Sequence, residues 1–220
     1  MAPEMVKVTE QQKLVRTDDD IHDAVKAWFV NMQAAEKKYG PMPEWDTSKV
    51  TNMSRLFEEK SDFNENISGW NVANVTTMER MFSGARAFNQ PLEQWNVANV
   101  TTMAWMFCRA TYFNQPLEQW NVANVTTMEG MFQGEDIMTV GGPSSFNQPL
   151  GQWNVANVTT MAWMFCRATY FNQPLEQWNV ANVTTMEGMF QGEDIMTVGG
   201  PSSFNQPLGQ WNVANVTTMA

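Results

Sequence analysis

Trp95-Asn-Val-Ala-Asn-Val-Thr-Thr-Met-Ala-Trp-Met-Phe-Cys-Arg-Ala-Thr-Tyr-Phe-Asn-Gln-Pro-Leu-Glu-Gln119 is one complete unit of a tandem repeat, and its pattern decides the fold. Trp95-Asn96-Val97 alternates apolar and polar, as a short strand does. Met103, Met106, Phe107 and Ala110 follow at i, i+3, i+4 and i+7, the spacing of one helix face, so a helix of about two turns is expected there. Phe113 to Pro116 reads as a turn, with Pro barring continuation of regular structure. The unit is therefore expected to run strand, loop, short helix, return turn. A single such rung leaves both strand edges unpaired and one face of its core wet, so it needs neighbours.

Outward from this stretch the period holds. Tryptophans at 45, 70, 95 and 120 lie 25 residues apart, and the intervals onward to Trp153, Trp178 and Trp211 are 33, 25 and 33. The longer units insert eight residues around Gly134–Ser145 and Gly192–Ser203. Residues 95–152 recur letter for letter as 153–210, which points to recent duplication or deliberate assembly. The break at Ala220, partway through a unit, reads as an array that continues. The expected layout is a mobile tail over 1–17, a capping helix over 18–42 and a repeat region over 43–220. Its units start at Trp45, Trp70, Trp95, Trp120, Trp153 and Trp178, with a partial unit from Trp211. The fold class expected is an α/β repeat solenoid of short parallel strands and short helices.

The signature Trp-x-Val-x-x-Val-Thr-x-Met-x-x-Met-Phe-x-x-Ala-x-x-Phe-Asn-x-x-Leu, carried here by Trp70, Val72, Val75, Thr76, Met78, Met81, Phe82, Ala85, Phe88, Asn89 and Leu92, resembles that of the BspA-like leucine-rich-repeat surface proteins. The match is nearest the 25-residue repeats of mycoplasma lipoproteins and marine protists, and it covers about four-fifths of the chain. The resemblance implies a curved solenoid used for adhesion or protein contact, and no enzymatic activity. The eight-residue insertions depart from the pattern and place Glu135 and Glu193 where sister units have Ala.

Ahead of the repeats, Asp18-Asp19-Asp20 offers a helix N-cap and negative charge at the positive end of the helix dipole. Ile21, Ala24, Val25, Trp28, Phe29, Met32 and Ala35 then form one apolar stripe, and Gly40-Pro41 ends it. Such a helix reads as a cap over the first rung, with a membrane-surface or partner-binding helix as the alternative.

Composition narrows the partners. A net charge of −10 repels a phosphate backbone, so nucleic acid is not expected. No run approaches the roughly 18–20 apolar residues of a membrane span, and Met1-Ala2-Pro3-Glu4 begins without a secretion signal, so the expectation is either a chain that stays inside the cell, as written, or one whose signal has been removed. His22 is the one histidine. Cys108 and Cys166 stand at the same place two rungs apart, roughly 10 Å at strand spacing and beyond disulfide reach. Neither a metal spacing nor a phosphate loop is present, so no catalytic residue, cofactor or metal is expected.

Binding candidates lie on the outward positions. Asn71, Asn96, Asn121, Asn154 and Asn179, with Gln94, Gln119, Gln152 and Gln177, form polar uncharged columns that either bind a partner or satisfy one another along the stack. Asparagines after Phe (Asn89, Asn114, Asn147, Asn172, Asn205) read as a structural ladder holding loop backbone. Each Asn-Val-Thr is formally a glycosylation sequon, which repetition of a structural motif explains without sugar. Trp105 and Trp163 replace Arg80 or Gly130 and either pack under the neighbouring insertion or serve as contact points. The insertions bring Glu135, Asp136, Glu193 and Asp194, loop residues suited to recognition but with too few oxygens for Ca²⁺. The function expected is a scaffold for protein, with glycan or ice binding and a purely architectural spacer as alternatives. Exposed apolar side chains at the last rung are expected to drive end-to-end self-association.

Overall fold

The computed structural model describes residues 14–135, 142–192 and 202–219. Consecutive units lie parallel and in register. Asn52, Thr77, Thr102, Thr127, Thr160, Thr185 and Thr218 are joined in that order by single parallel bridges. The bridge therefore falls on the second Thr of each unit, and Trp95–Val97, expected to be the strand, is not one. Two turns occupy that stretch instead, Trp95 N–H bonding Leu92 O at 3.0 Å and Val100 N–H bonding Val97 O at 2.9 Å.

The short helix expected over Met103–Ala110 is not formed either. Met103, Trp105, Phe107 and Arg109 donate their N–H groups to Thr127, Glu129, Met131 and Gln133 of the next unit at 2.7–3.2 Å. The intervening Met106, Cys108 and Ala110 close turns onto Met103, Trp105 and Phe107 at 3.0–3.1 Å. An α-helix would use every one of these N–H groups internally; here alternate ones bind the neighbour. That alternation requires a left-handed residue at regular steps, and Trp105 and Arg109 have φ of 59° and 58°. Arg55, Glu59, Arg80, Trp163 and Arg167 share the conformation, as do Gly84, Gly130 and Gly188 at matching places. Met103, Met106, Phe107 and Ala110 are nevertheless all buried. A helix and a train of turns bury the same spacing, which is why periodicity did not separate them.

The interior is a set of stacked columns. Phe57, Phe82, Phe107, Phe132, Phe165 and Phe190 stack in sequence with centroids 5.5–5.7 Å apart. A second column, Phe63, Phe88, Phe113, Phe146, Phe171 and Phe204, runs beside it at 5.5–6.2 Å. Methionine fills the remaining space, with Met78, Met81, Met103, Met106, Met128 and Met131 all fully buried.

The N-terminal segment differs from expectation in three ways. Val15–Thr17, taken as mobile tail, is a strand (β1) pairing in parallel with Asp46–Lys49 (β2). Between them, Arg16 is buried over Tyr39 and Trp45 and bonded to Asp20 at 2.7 Å. The single capping helix is two, α1 (Ile21–Val30) and α2 (Met32–Tyr39). They part at Asn31, whose backbone is extended and whose side chain caps α2 through Ala34 N–H. Met32, placed on the apolar stripe, is exposed as a result. Lastly, Asp20 makes no side-chain cap on α1, its carboxylate being held by Arg16 and Thr17 N–H. Ile21, Ala24, Val25 and Trp28 bury α1 against the first unit.

Candidate binding surfaces

Most polar residues of the repeat bind the stack to itself. Asn114 Oδ1 accepts from Asn147 N–H at 2.9 Å and from Gln148 Nε2 at 3.1 Å, and the same pair of bonds links Asn89 to the unit after it. Asn147 and Asn172 continue this column, so the asparagines after Phe form the backbone-holding ladder expected of them. The sequon asparagines do a similar task. Asn99, Asn124, Asn157, Asn182 and Asn215 each donate Nδ2 to an alanine carbonyl of the preceding unit at 2.7–2.8 Å. The first Thr of each pair is exposed but also bonds along the stack, Thr101 Oγ1 donating to Thr76 O at 3.1 Å, a bond repeated at Thr126, Thr159, Thr184 and Thr217.

The column after Trp behaves otherwise. Asn71, Asn96, Asn121, Asn154 and Asn179 are exposed, and each accepts from the N–H two residues on within its own unit, at 3.1–3.2 Å. These are Asx turns and not a ladder between units. Gln94, Gln119, Gln152 and Gln177 are exposed beside them. Gln177, Asn179, Gln210 and Asn212 of two successive units line one groove of about 430 Å³, so the two columns share a face.

Trp105 and Trp163 occupy a different surface. Each is half-buried, in contrast to the fully buried tryptophans that begin the units. Trp105 lies over Gly130, where a Cβ would come within 2.2 Å of its ring, and Trp163 lies likewise over Gly188. By leaning across the intervening glycine, Trp105 brings its ring centroid to 6.0 Å from that of Trp163, two units away. With Gln133, Cys166, Arg167 and Gln191 the pair lines a cavity of about 290 Å³. Arg80 sits over Trp105 at 5.3 Å.

The acidic loop residues divide. Glu135, expected to be accessible, is only 6% exposed and takes a two-pronged bond from Arg86 at 2.8 and 2.9 Å. The hydrogen bond to Glu135 holds the Arg86 guanidinium above its ordinary pKa. Glu135 thus clamps the start of the insertion to a unit two places earlier. Sequence reading missed this because Arg86 and Glu135 are 49 residues apart. Asp136, Glu193 and Asp194 lie outside the described residues.

At the first unit, Asp18 stands where a preceding rung's acceptors would be. Its carboxylate accepts from Thr51 N–H at 2.8 Å, Thr51 Oγ1 at 2.6 Å and Asn52 N–H at 2.9 Å. Burial alone would raise its pKa, but these bonds outweigh burial and lower it. His22 Nε2 meets Ser54 O at 2.9 Å, so that nitrogen carries the proton. Burial raises the Cys108 thiol to about 11, and Cys108 and Cys166 are both buried and neither is in a disulfide. Among the described residues no three His, Cys, Asp or Glu side chains gather as metal ligands, and no helix is long and apolar enough to cross a membrane.

Neither curated proteins nor solved structures gave a match to this chain. The family described as a Mycoplasma protein of unknown function, DUF285, matches residues 23–139 and 138–220. Those spans take in α1, α2 and the whole run of repeats, and the chain belongs to the DUF285 family.

Proposed function

We propose that the chain is a non-catalytic interaction scaffold, a leucine-rich-repeat-like solenoid of the BspA-like surface kind whose units are turns in place of helices. One observation carries this reading: the exposed Gln and Asn columns of successive units share a groove, while nearly every other polar column is consumed in holding the stack. Residues that would suit chemistry are committed elsewhere, His22 to the Ser54 carbonyl and Cys108 to a buried thiol. Protein is the partner class that the resemblance favours. A polar face of amides with one carboxylate, Glu176, beside Trp178 suits hydrogen-bonded recognition of that kind.

The test uses Gln94→Lys, Gln119→Lys, Gln152→Lys and Gln177→Lys together, positions that are exposed and lie outside the inter-unit ladders. Titration against an immobilised panel of surface and matrix proteins is expected to show binding by the parent and loss in the variant, with melting unchanged. Binding that survives all four changes would remove the column as the contact surface.

Self-association at the far end is a second proposal, favoured by an apolar cavity of about 690 Å³ there that includes Met186, Met189, Phe190, Trp211 and Met219. Head-to-tail joining would have to displace α1, whose His22 and Phe29 lie against Ser54, Phe57 and Phe63. Sedimentation over a concentration series checks it; a single monomeric species at every concentration would remove it.

A further inference from the structure

The face carrying Trp105 and Trp163 is separate from the Gln and Asn columns, and four features of it bear on a ligand. Backbone strain comes first. The two tryptophans have φ of 59° and 54°, a conformation that disfavours any residue with a Cβ by about 1–2 kcal/mol. Glycine stands at the matching place in the alternate units, Gly130 and Gly188, so the fold itself does not require an indole there. Arg55 and Arg80 hold the same conformation at the matching place, so the left-handed backbone belongs to the fold, and what sets these two units apart is the half-exposed indole placed on it.

Hydrogen bonding comes second. The tryptophans that open the units donate their indole N–H to a backbone carbonyl, as Trp120 does to Leu92 O at 2.9 Å and Trp153 to Leu117 O at 3.0 Å. The indole N–H groups of Trp105 and Trp163 have no such partner among the described residues, and both side chains reach solvent. Third, Gln133 lines the 290 Å³ cavity that the two rings flank, and its Oε1 is buried beneath that surface without a hydrogen bond. A buried acceptor without a donor is unfavourable by about 1–3 kcal/mol unless something supplies one.

Charge is the fourth. Arg80 is engaged by the Trp105 ring and lies within 3.8 Å of Glu58 and Glu79, and Arg109 pairs with Glu59. Arg167, the cation that lines the cavity itself, is engaged as well, and the chain carries a net charge of −10. An anionic ligand finds no unpaired counter-charge here.

From this we infer that the Trp105–Trp163 face is a binding site for a neutral saccharide. A pyranose presents an apolar C–H face to an indole and hydroxyl groups around its rim. Each hydroxyl both accepts and donates, so one sugar can accept from the indole N–H groups and donate a hydrogen bond to Gln133 Oε1 once that amide turns toward the cavity. A proline-rich peptide also stacks on tryptophan and accepts from its N–H, but its prolines have no N–H for Gln133. The cavity, about 290 Å³, is at the small end of ligand-sized clefts, which fits one sugar ring of a longer chain.

The test is a printed array of neutral β-glucan, mannan and N-acetylglucosamine oligomers probed with the full chain, followed by titration of the strongest oligomer by calorimetry and tryptophan fluorescence. Binding with a fluorescence shift is expected. The double changes Trp105→Gly with Trp163→Gly, and Trp105→Arg with Trp163→Arg, use residues that sister units hold at the same place. Each is expected to weaken binding at least about tenfold while the melting curve is retained, and the four-glutamine variant is expected to bind the sugar as the parent does. No binding to any neutral oligomer overturns the inference, as does binding that both tryptophan variants leave intact. Capture of a proline-rich peptide that the sugar does not compete for overturns it too.

Discussion

Two sets of tryptophans in this chain share a residue type and little else. Trp70, Trp95, Trp120, Trp153 and Trp178 are 3–4% exposed, with indole N–H groups bonded to backbone carbonyls 28 or 36 residues earlier. Trp105 and Trp163 lie half-exposed over glycines, strained and without a backbone partner for the indole among the described residues. The first set binds unit to unit; the second stands where sister units hold glycine. Position within the period, more than residue type, separates side chains that build the stack from side chains that the stack displays.

Trp120→Ala is the sharpest way to break that comparison. Trp120 stacks on Trp153 at 6.5 Å and 3° and touches the Phe107 column at 6.4 Å. Truncation removes a buried aromatic, leaves Leu92 O without its donor, and is expected to lower stability by about 3–5 kcal/mol in denaturant unfolding. A loss below about 1 kcal/mol would mean that the inward set does not hold the units together.

Asn114→Ala asks whether polar ladders carry weight comparable to the aromatic ones. It leaves Asn147 N–H and Gln148 Nε2 without the Oδ1 they share. The expected loss is about 1–3 kcal/mol, smaller than for Trp120 because the site is only part-buried and water can enter. Asn96→Ala, which removes only an exposed Asx turn, is the matched control and should lose less.

The difference between these two asparagine columns marks the limit of what the residues alone convey. Repetition, unit boundaries and the buried positions are legible, because a period of 25 with fixed apolar places survives any local conformation. The asparagines after Phe are legible for the same reason. Conformation inside the unit is not. Helix and turn train share the spacing of Met103, Met106, Phe107 and Ala110, and the sign that separates them, glycine at 84, 130 and 188 opposite Arg109, Trp105 and Trp163, shows only when units are aligned position by position. Long-range pairs stay hidden altogether. Asp18 reading as a helix cap and Glu135 reading as an exposed loop residue both follow from local rules, which the contacts to Thr51 and Arg86 override.

Trp105→Gly tests the displayed set directly. It removes left-handed strain at φ 59° and, in return, uncovers Gly130 and part of the Arg80 side chain. Relief of strain is worth about 1 kcal/mol, so thermal unfolding is expected to show unchanged or slightly raised stability. A clear loss would place Trp105 with the structural set and withdraw the contrast.

Gln119→Lys is the smallest effect and closes the comparison from the other side. Gln119 is exposed, its one side-chain bond is a 3.4 Å contact with Glu118, and a lysine there meets solvent and a neighbouring carboxylate. Surface changes of this kind stay within about 0.5 kcal/mol, and the melting curve is expected not to move. If it does fall, the glutamine column belongs to the stack after all, and loss of partner binding in the four-glutamine variant would report disturbed packing instead of a lost contact. An unmoved curve, beside the large loss at Trp120, is what lets any binding defect in that column be read as recognition.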